Sequence, residues 1–418
     1  MSTASRGHLI TAYLGNLFEH YDTALFGFLS PFLAPHIFPD HDPITALILT
    51  YAIIPIGMLA RPLGSLVFGY IGDVYGRKQA LFLTLAGMSL VSGCIAFSPT
   101  YAQVGLLSPI IFSLGRALQN FLAAGETMGG AIFLLENSAP KKHDFLSGLY
   151  SSSTLGGHLL ASLGVFLIGY FNVTASGWRV LYLCGCITAL FGCLIRRSLA
   201  PIGTPIKATN PLANLKSIFW TCKKPLFTIM IASGFAHANY AVALVLMNGF
   251  IPLISPLTKT EVMKINTYLL ILDLLALPFF GWVASKVPRE KLMLTASIGV
   301  ALFATPLLLS LEGASLTSVI GVRIALVLLG VAFFAPFHAW AQQLLEPKYR
   351  YAVISMGYAL GSQLLGGPTA AFALWCFQKT GMVASVAWYW MALAMASSIA
   401  IALSMRATQS AKMAKESQ

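Results

Sequence analysis

The stretch that decides the fold is "GYIGDVYGRKQAL", residues 69–81. It sets an acid, two glycines and an Arg-Lys pair between two long apolar runs. A related stretch, "GWVASKVPREKLM" at 281–293, interrupts the apolar pattern again after the second run of the chain's second half, with Ser285 in place of the acid and Pro288 in place of the later glycine. A chain of two similar halves is the simplest reading of that repeat.

Composition agrees with loops set between membrane spans. The 418 residues are 57% hydrophobic and only 10% charged, with a mean hydropathy of +0.77, whereas soluble chains carry roughly a quarter charged residues. A helix crosses the hydrocarbon with about 20 mostly apolar residues. Twelve such runs can be placed, at 9–38, 45–71, 80–97, 103–135, 145–171, 178–196, 225–255, 262–285, 291–311, 315–344, 350–376 and 382–405. The alternating ten-residue segments of an outer-membrane barrel do not occur. The expected architecture is an all-α membrane protein of twelve transmembrane helices in two pseudo-symmetric six-helix halves. Residues 1–196 form the first half, 197–224 a Pro- and Lys-rich cytoplasmic linker, 225–405 the second half and 406–418 a short cytoplasmic tail without a heptad repeat.

Lys and Arg set orientation, because they collect on the cytoplasmic side. With the N-terminus inside, nineteen of the 26 fall in cytoplasmic segments, so both termini are expected in the cytoplasm of a multi-pass protein of the inner (plasma) membrane. The net charge of +12 is thereby a topology signal that implies contact with membrane lipid and no nucleic-acid partner. The six cysteines show no paired spacing and are read as packing residues.

The loop at 69–81 resembles the signature between helices two and three of the major facilitator superfamily. Further pieces narrow the resemblance to its metabolite:proton symporter branch, which includes proline/betaine, citrate, 2-oxoglutarate and shikimate carriers. They are "GNLFEHYDTALFGF" at 15–28, "ARPLGSLVFGYIGDVYGRK" at 60–78, "PTYAQVGLLSPIIFSLGRALQNFLAAGETMGGAIFLLENSAP" at 99–140 and "GGPTAAF" at 366–372. The first half matches densely and the second in outline, with Asn120 standing where that branch usually has glycine. The resemblance implies two parallel six-helix halves and a substrate site at mid-membrane. It also implies a gate in which Asp73, Arg77 and Glu136 take part, with Arg77 paired to Glu136 and Arg61 in support.

Physical chemistry picks out the same regions. A carboxylate at the bilayer centre costs about 2.5–3.5 kcal/mol on insertion scales, so acids there face the protein interior and serve function. Glu19 and Asp22 lie one turn apart on one face of the first helix, continued by Asn16 and Phe26. Two carboxylates so close in a dry place repel, so one is expected to hold a proton near neutral pH, Asp22 before Glu19. Helix four carries a polar stripe of Arg116, Gln119, Ala123, Glu126, Thr127 and Gly130. Arg116 is expected to alternate between Glu19 or Asp22 and a substrate carboxylate, with Gln119, Asn120, Glu126 and Asn16 lining the substrate side. Gly125 and Gly129 are read as packing.

Polar positions in the second half are sparser: His237, Asn239 and Asn248 in helix seven, Asp273 in eight, Arg323 and His338 in ten, and Tyr358, Ser362 and Gln363 in eleven. Tyr358 and Gln363 are the substrate-side candidates among them. Asp273 and Arg323 are expected to neutralise each other. No helix-spaced metal cluster, nucleophile elbow or phosphate loop occurs, so neither metal, cofactor nor enzyme activity is expected. The function expected is proton-coupled import of a small polar metabolite, carboxylate-bearing or zwitterionic, by a monomer working through alternating access. Proton-driven export is the alternative, although "SSSTLGGHLLASLG" in helix five lacks the proline expected of drug antiporters.

Overall fold

A computed structural model describes residues 3–41, 46, 49, 50, 53, 60–171, 173–197 and 220–416. The regular structure among them is helical throughout. Such a chain satisfies its backbone donors and acceptors within each segment, as a lipid surround requires. The first helices are α1 (Thr3–Ile37), α2 (Ala60–Val74), α3 (Arg77–Ala96), α4 (Leu107–Glu136), α5 (His143–Tyr170) and α6 (Thr174–Arg197). After the linker, most of which lies outside the described residues, come α7 (Lys223–Ile254), α8 (Lys259–Ala284), α9 (Arg289–Leu309) and α10 (Leu316–Gln343). Helix α11 is built from Arg350–Leu360, a π-helical turn Gly361–Gly366 and Thr369–Thr380, and α12 is Trp388–Glu416.

Among the described residues, eight of these helices are long and apolar enough to cross a membrane. The other four expected spans fall on α1, α2, α4 and α11. Buried polar residues interrupt α1 and α4, the expected 45–71 span lies partly outside the described residues, and the π-helical turn divides α11.

The chain separates into two compact units. One holds the residues up to Ser138 and those from Ser153 to the linker, and the other holds Ala139–Ser152 and everything after the linker. In the first unit, α4 packs against α1, α2 and α3, and α6 packs against α1 and α3. Its apolar centre is made of Phe26, Leu29 and Leu33 of α1, Phe112 of α4 and Trp178 and Tyr182 of α6. Gly125 meets Phe68 of α2 and Thr84 of α3 so closely that a Cβ would lie 2.7 Å from either side chain.

The signature loop is almost entirely helix. Only Tyr75 and Gly76 separate α2 from α3, and Gly76 has φ 98°, a conformation that a residue with Cβ adopts only under strain. Its counterpart in the second half turns differently. Ser285 ends α8 in a right-handed conformation and Pro288, at φ −55°, starts α9, so the departures at these two positions follow a change of turn geometry. At the start of α8, the Thr258 backbone N–H donates to Glu261 and the Thr258 hydroxyl accepts from the Glu261 N–H. That capping box, led by the backbone hydrogen bond, holds the exposed Glu261 carboxyl below the usual carboxylate range.

Helices α1 and α5 meet at Gly157, where a Cβ would run into the Leu17 carbonyl and lie 2.7 Å from the Tyr21 backbone nitrogen. Backbone cannot move aside as a flexible side chain can. Gly157→Val is therefore expected to destabilise the fold by about 3 kcal/mol, the upper range for overpacking. Thermal unfolding of the purified protein checks this, and an unchanged midpoint would count against the contact.

Candidate functional site

Polar residues of α1, α2, α3, α4 and α5 meet inside the first unit, and the two acids of α1 have different surroundings. Glu19 is 1% exposed. Its Oε1 lies 3.5 Å from Arg61 Nη2 of α2, its Oε2 lies 3.1 Å from His20 Nδ1, and it accepts from Thr127 Oγ1 of α4 at 2.9 Å. Arg61 Nη2 also donates to Thr127 Oγ1 at 2.8 Å, so the threonine hydroxyl links cation to anion. His20 Nδ1 lies 2.9 Å from the Asn16 carbonyl as well. Both neighbours are acceptors, which places a proton on Nδ1.

Asp22 is fully buried and has no ion-pair partner among the described residues. Its Oδ2 accepts from the Ser92 hydroxyl of α3 and from Gln119 Nε2 of α4, the latter at 3.1 Å. Its Oδ1 is buried without a hydrogen bond. Gly185 of α6 presses on that side, since a Cβ there would stand 2.6 Å from Oδ1. Arg116 lies within electrostatic reach of the acid and is joined to it by hydrogen bonds through Gln119. Its Nη1 donates to Gln119 Oε1 at 2.7 Å, its Nη2 donates to the Thr23 carbonyl at 3.1 Å, and its Nε is buried without a partner. The guanidinium lies 5.1 Å from the Phe26 ring centroid, a cation–π contact.

This geometry departs from the expected pairing. Arg116 does not pair with Glu19, whose arginine is Arg61, assigned above to the gate. His20, which stands beside Glu19 in sequence and on a different face of the helix, nonetheless turns its ring onto the same carboxylate. Helical spacing shows which residues share a face, yet a long side chain from a neighbouring helix selects between acids one turn apart by its depth, which spacing does not encode.

The remaining candidates are distributed as follows. Asn16 is fully buried and donates to Ser153 Oγ at 2.7 Å and Thr154 Oγ1 at 2.9 Å. Asn120 donates to the Arg116 carbonyl at 3.0 Å, four residues back on its own helix. The side chains of Asp73, Arg77 and Glu126 lie outside the described residues, and Glu136 is exposed at the end of α4. In the second unit, Tyr358 of α11 packs its ring 5.9 Å from that of Phe337. Gln363 sits in the π-helical turn, where its Nε2 donates to Ser362 Oγ at 3.1 Å and its Oε1 is buried without a partner.

Asp273 and Arg323 do not pair. Arg323 is fully buried and donates through Nη2 to the Ala243 carbonyl at 3.0 Å, Asn248 Oδ1 at 3.0 Å and Asn266 Oδ1 at 2.6 Å, and through Nη1 to the Val262 carbonyl at 3.3 Å. Four neutral oxygens replace the expected carboxylate. One ion pair of the second unit was missed in the sequence: Arg289 Nη2, in the second loop copy, lies 3.0 Å from Asp144 Oδ2 at the start of α5.

Comparison with known proteins follows the same lines. The family profile described as "Sugar (and other) transporter" matches residues 8–202. A Staphylococcus aureus (strain COL) protein, provisionally named a proline/betaine transporter, is 29% identical over 396 residues, 91% of this chain and 84% of its own length. The proline/betaine transporter of Salmonella typhimurium is 26% identical over 415 residues, covering 93% and 81%. The citrate-proton symporter of Salmonella typhi is 27% identical over 414 residues, covering 95% and 93%. Among solved structures, the proton:xylose symporter XylE bound to 6-bromo-6-deoxy-D-glucose superposes with a TM-score of 0.74 at 14% identity, over 95% of each chain. A bacterial homologue of the iron transporter ferroportin, in its outward-facing state, gives 0.72 at 13% identity, over 96% of this chain and 99% of its own. At such identities the structures establish the fold.

Proposed function

Since this multi-pass membrane chain belongs to the major facilitator superfamily, in its metabolite:proton symporter branch, we propose that it imports a small polar metabolite together with a proton by alternating access. The observation that carries this reading is the inequality of the two acids of α1. Glu19 has Arg61, Thr127 and His20 around it, whereas Asp22 has neutral donors on one oxygen and nothing on the other. An acid without a direct ion pair in a dry site is the one that gains most from taking up a proton. Asp22 is the proton carrier, and Glu19 is the fixed partner of Arg61.

Arg116 holds the substrate carboxylate in this reading. Its guanidinium is hydrogen-bonded to neutral groups and keeps an unused donor, so a carboxylate would meet a cation that makes no direct ion pair. Gln119 ties the arginine to Asp22, which supplies a physical route for protonation at one to alter the other. Asn120, Glu126 and Asn16 are the further substrate candidates of the first unit, and Tyr358 and Gln363 those of the second. Asp73, Arg77 and Glu136 serve the gate. The substrate is carboxylate-bearing or zwitterionic, and the protein works as a monomer in the inner membrane with both termini cytoplasmic.

Purified protein in liposomes, offered L-proline, glycine betaine, citrate and 2-oxoglutarate in turn, tests this. An inward proton gradient is expected to raise uptake of at least one of them about tenfold over the rate without a gradient. If an inward proton gradient drives none of them in, or drives one out, the symport reading fails.

A further inference from the structure

The two ring nitrogens of His20 are in opposite circumstances. Nδ1 is fixed, 3.1 Å from Glu19 Oε2 and 2.9 Å from the Asn16 carbonyl. With an acceptor on either side it carries the proton, so the lone pair of the neutral ring is on Nε2. No hydrogen bond reaches Nε2 among the described residues, and it is not one of the sealed, partnerless atoms of the protein. The residue is 8% exposed, which leaves that lone pair an open side. A carboxylate on one nitrogen and an open lone pair on the other make a dyad. The carboxylate orients the ring and balances the charge that forms when Nε2 takes a proton.

The neighbouring helices decide what a proton there meets. Arg61 of α2 shares the Glu19 carboxylate at the longer distance of 3.5 Å, so the imidazole stands nearer to the anion than the guanidinium does. His158 of α5 sets its ring edge-on to His20, centroids 5.6 Å apart. Two imidazolium ions so close repel, so the two histidines do not fill together. From α4 comes a neutral hydroxyl, Thr127 Oγ1, on Glu19 Oε2, and α3 adds the neutral Ser92 hydroxyl at Asp22. Asp22 lies within electrostatic reach of Glu19, and Arg116 of α4 and Tyr182 of α6 lie within reach of Asp22. With Glu19 and Arg61 charged and the histidines neutral, the Glu19 cluster has no net charge. A proton on Nε2 gives it one positive charge, which attracts an anionic group.

We propose that His20 and Glu19 form a proton-binding dyad within the first unit, separate from Asp22, which fills at Nε2 in acid and strengthens the hold on the substrate's carboxylate. The step is one proton transfer: hydronium gives up a proton and becomes water, an N–H bond forms at Nε2, and imidazole becomes imidazolium beside Glu19. The proton site stands on the geometry alone. Its effect on transport rests on the reading of the chain as a carrier of a carboxylate-bearing metabolite.

Diethylpyrocarbonate acylates the unprotonated imidazole nitrogen, so it reads the site in the purified full-length wild type without substrate or gradient. Tandem mass spectrometry places the adduct on His20 or His158. The His20 rate, corrected for hydrolysis of the reagent, is expected to fall about tenfold or more between about pH 8 and pH 5.5, across the range in which an imidazole changes charge. Arg61→Ala should strengthen proton binding at His20, and adding Glu19→Gln to that variant should weaken it by about tenfold. Opposite effects of the two substitutions distinguish a charge effect from general loosening of the fold. No labelling of His20 at the alkaline end, a rate that ignores pH, a pH response confined to His158, or proton binding unchanged by Glu19→Gln each overturns the proposal. For transport, L-proline, glycine betaine and 2-oxoglutarate keep their charge between about pH 8 and pH 6, where only the imidazole range is crossed. The ratio of wild-type to His20→Gln counterflow for the compound carried should rise about threefold or more over that interval. A constant ratio overturns the proposed effect on the substrate. Absence of gradient-driven uptake for every compound, with His20 titrating as expected, instead removes the symport reading and leaves the proton site standing.

Discussion

Asp22→Asn is expected to bind substrate and exchange it across the membrane, yet to lose accumulation against a gradient. One proton entering down a 100 mV potential supplies about 2.3 kcal/mol, which sustains roughly fifty-fold accumulation of a neutral substrate at 1.4 kcal/mol per decade. Asparagine copies the shape and the neutral state of the protonated acid, and its side chain still accepts from Ser92 and Gln119. What it cannot do is release the proton. The variant should therefore run counterflow near the wild-type rate while accumulation falls from about fifty-fold to about one-fold. The check is uptake of the active substrate into liposomes under an imposed potential, with counterflow measured on the same preparation. Accumulation equal to wild type would remove Asp22 as the coupling site. Loss of both activities would instead make Asp22 a structural residue.

How far this site was legible in the sequence depends on what each signal encodes. Apolar runs reveal helices because lipid demands them, and two acids within such a run stand out because burying charge is costly. Spacing along α1 and α4 placed Glu19 with Asp22, and Arg116 with Gln119, on shared faces. It does not encode how far α2 leans toward α1, which is what hands Glu19 to Arg61. Asp273 and Arg323 failed as a pair for a similar reason. Opposite charges in neighbouring apolar helices suggest neutralisation, but Asn248 and Asn266 supply oxygens closer to the guanidinium. Asn248 was visible as a polar interruption, and Asn266 has the same signal in weaker form. The π-helical turns of α7 and α11 have no residue signature, because a shift from four-residue to five-residue hydrogen bonding depends on neighbouring helices.

The Glu19 cluster leads to an effect on stability as large as the effect of Asp22 on coupling. Glu19 has a fully buried side chain and Arg61 is 14% exposed, so the pair lies mostly out of water. Removing one member of such a pair leaves an uncompensated charge, which typically destabilises by 3–5 kcal/mol. Thr127 and His20 stay in place beside the carboxylate, and the Nη2–Oε1 separation of 3.5 Å is long. Both moderate the loss, so Arg61→Ala is expected to cost about 3 kcal/mol, the low end of that range. If the penalty comes from a stranded anion, removing the anion should recover much of it. Glu19→Gln in the Arg61→Ala background is therefore expected to regain at least about 1.5 kcal/mol, giving a clear coupling energy in the double-mutant cycle. A structural role for the arginine through packing alone predicts additive losses. Unfolding midpoints of the four proteins separate the two accounts, and additivity within about 0.5 kcal/mol would dissolve the pair. Because Asp22 has no such partner, Asp22→Asn should leave the midpoint near wild type, which makes stability and coupling separable by one acid each.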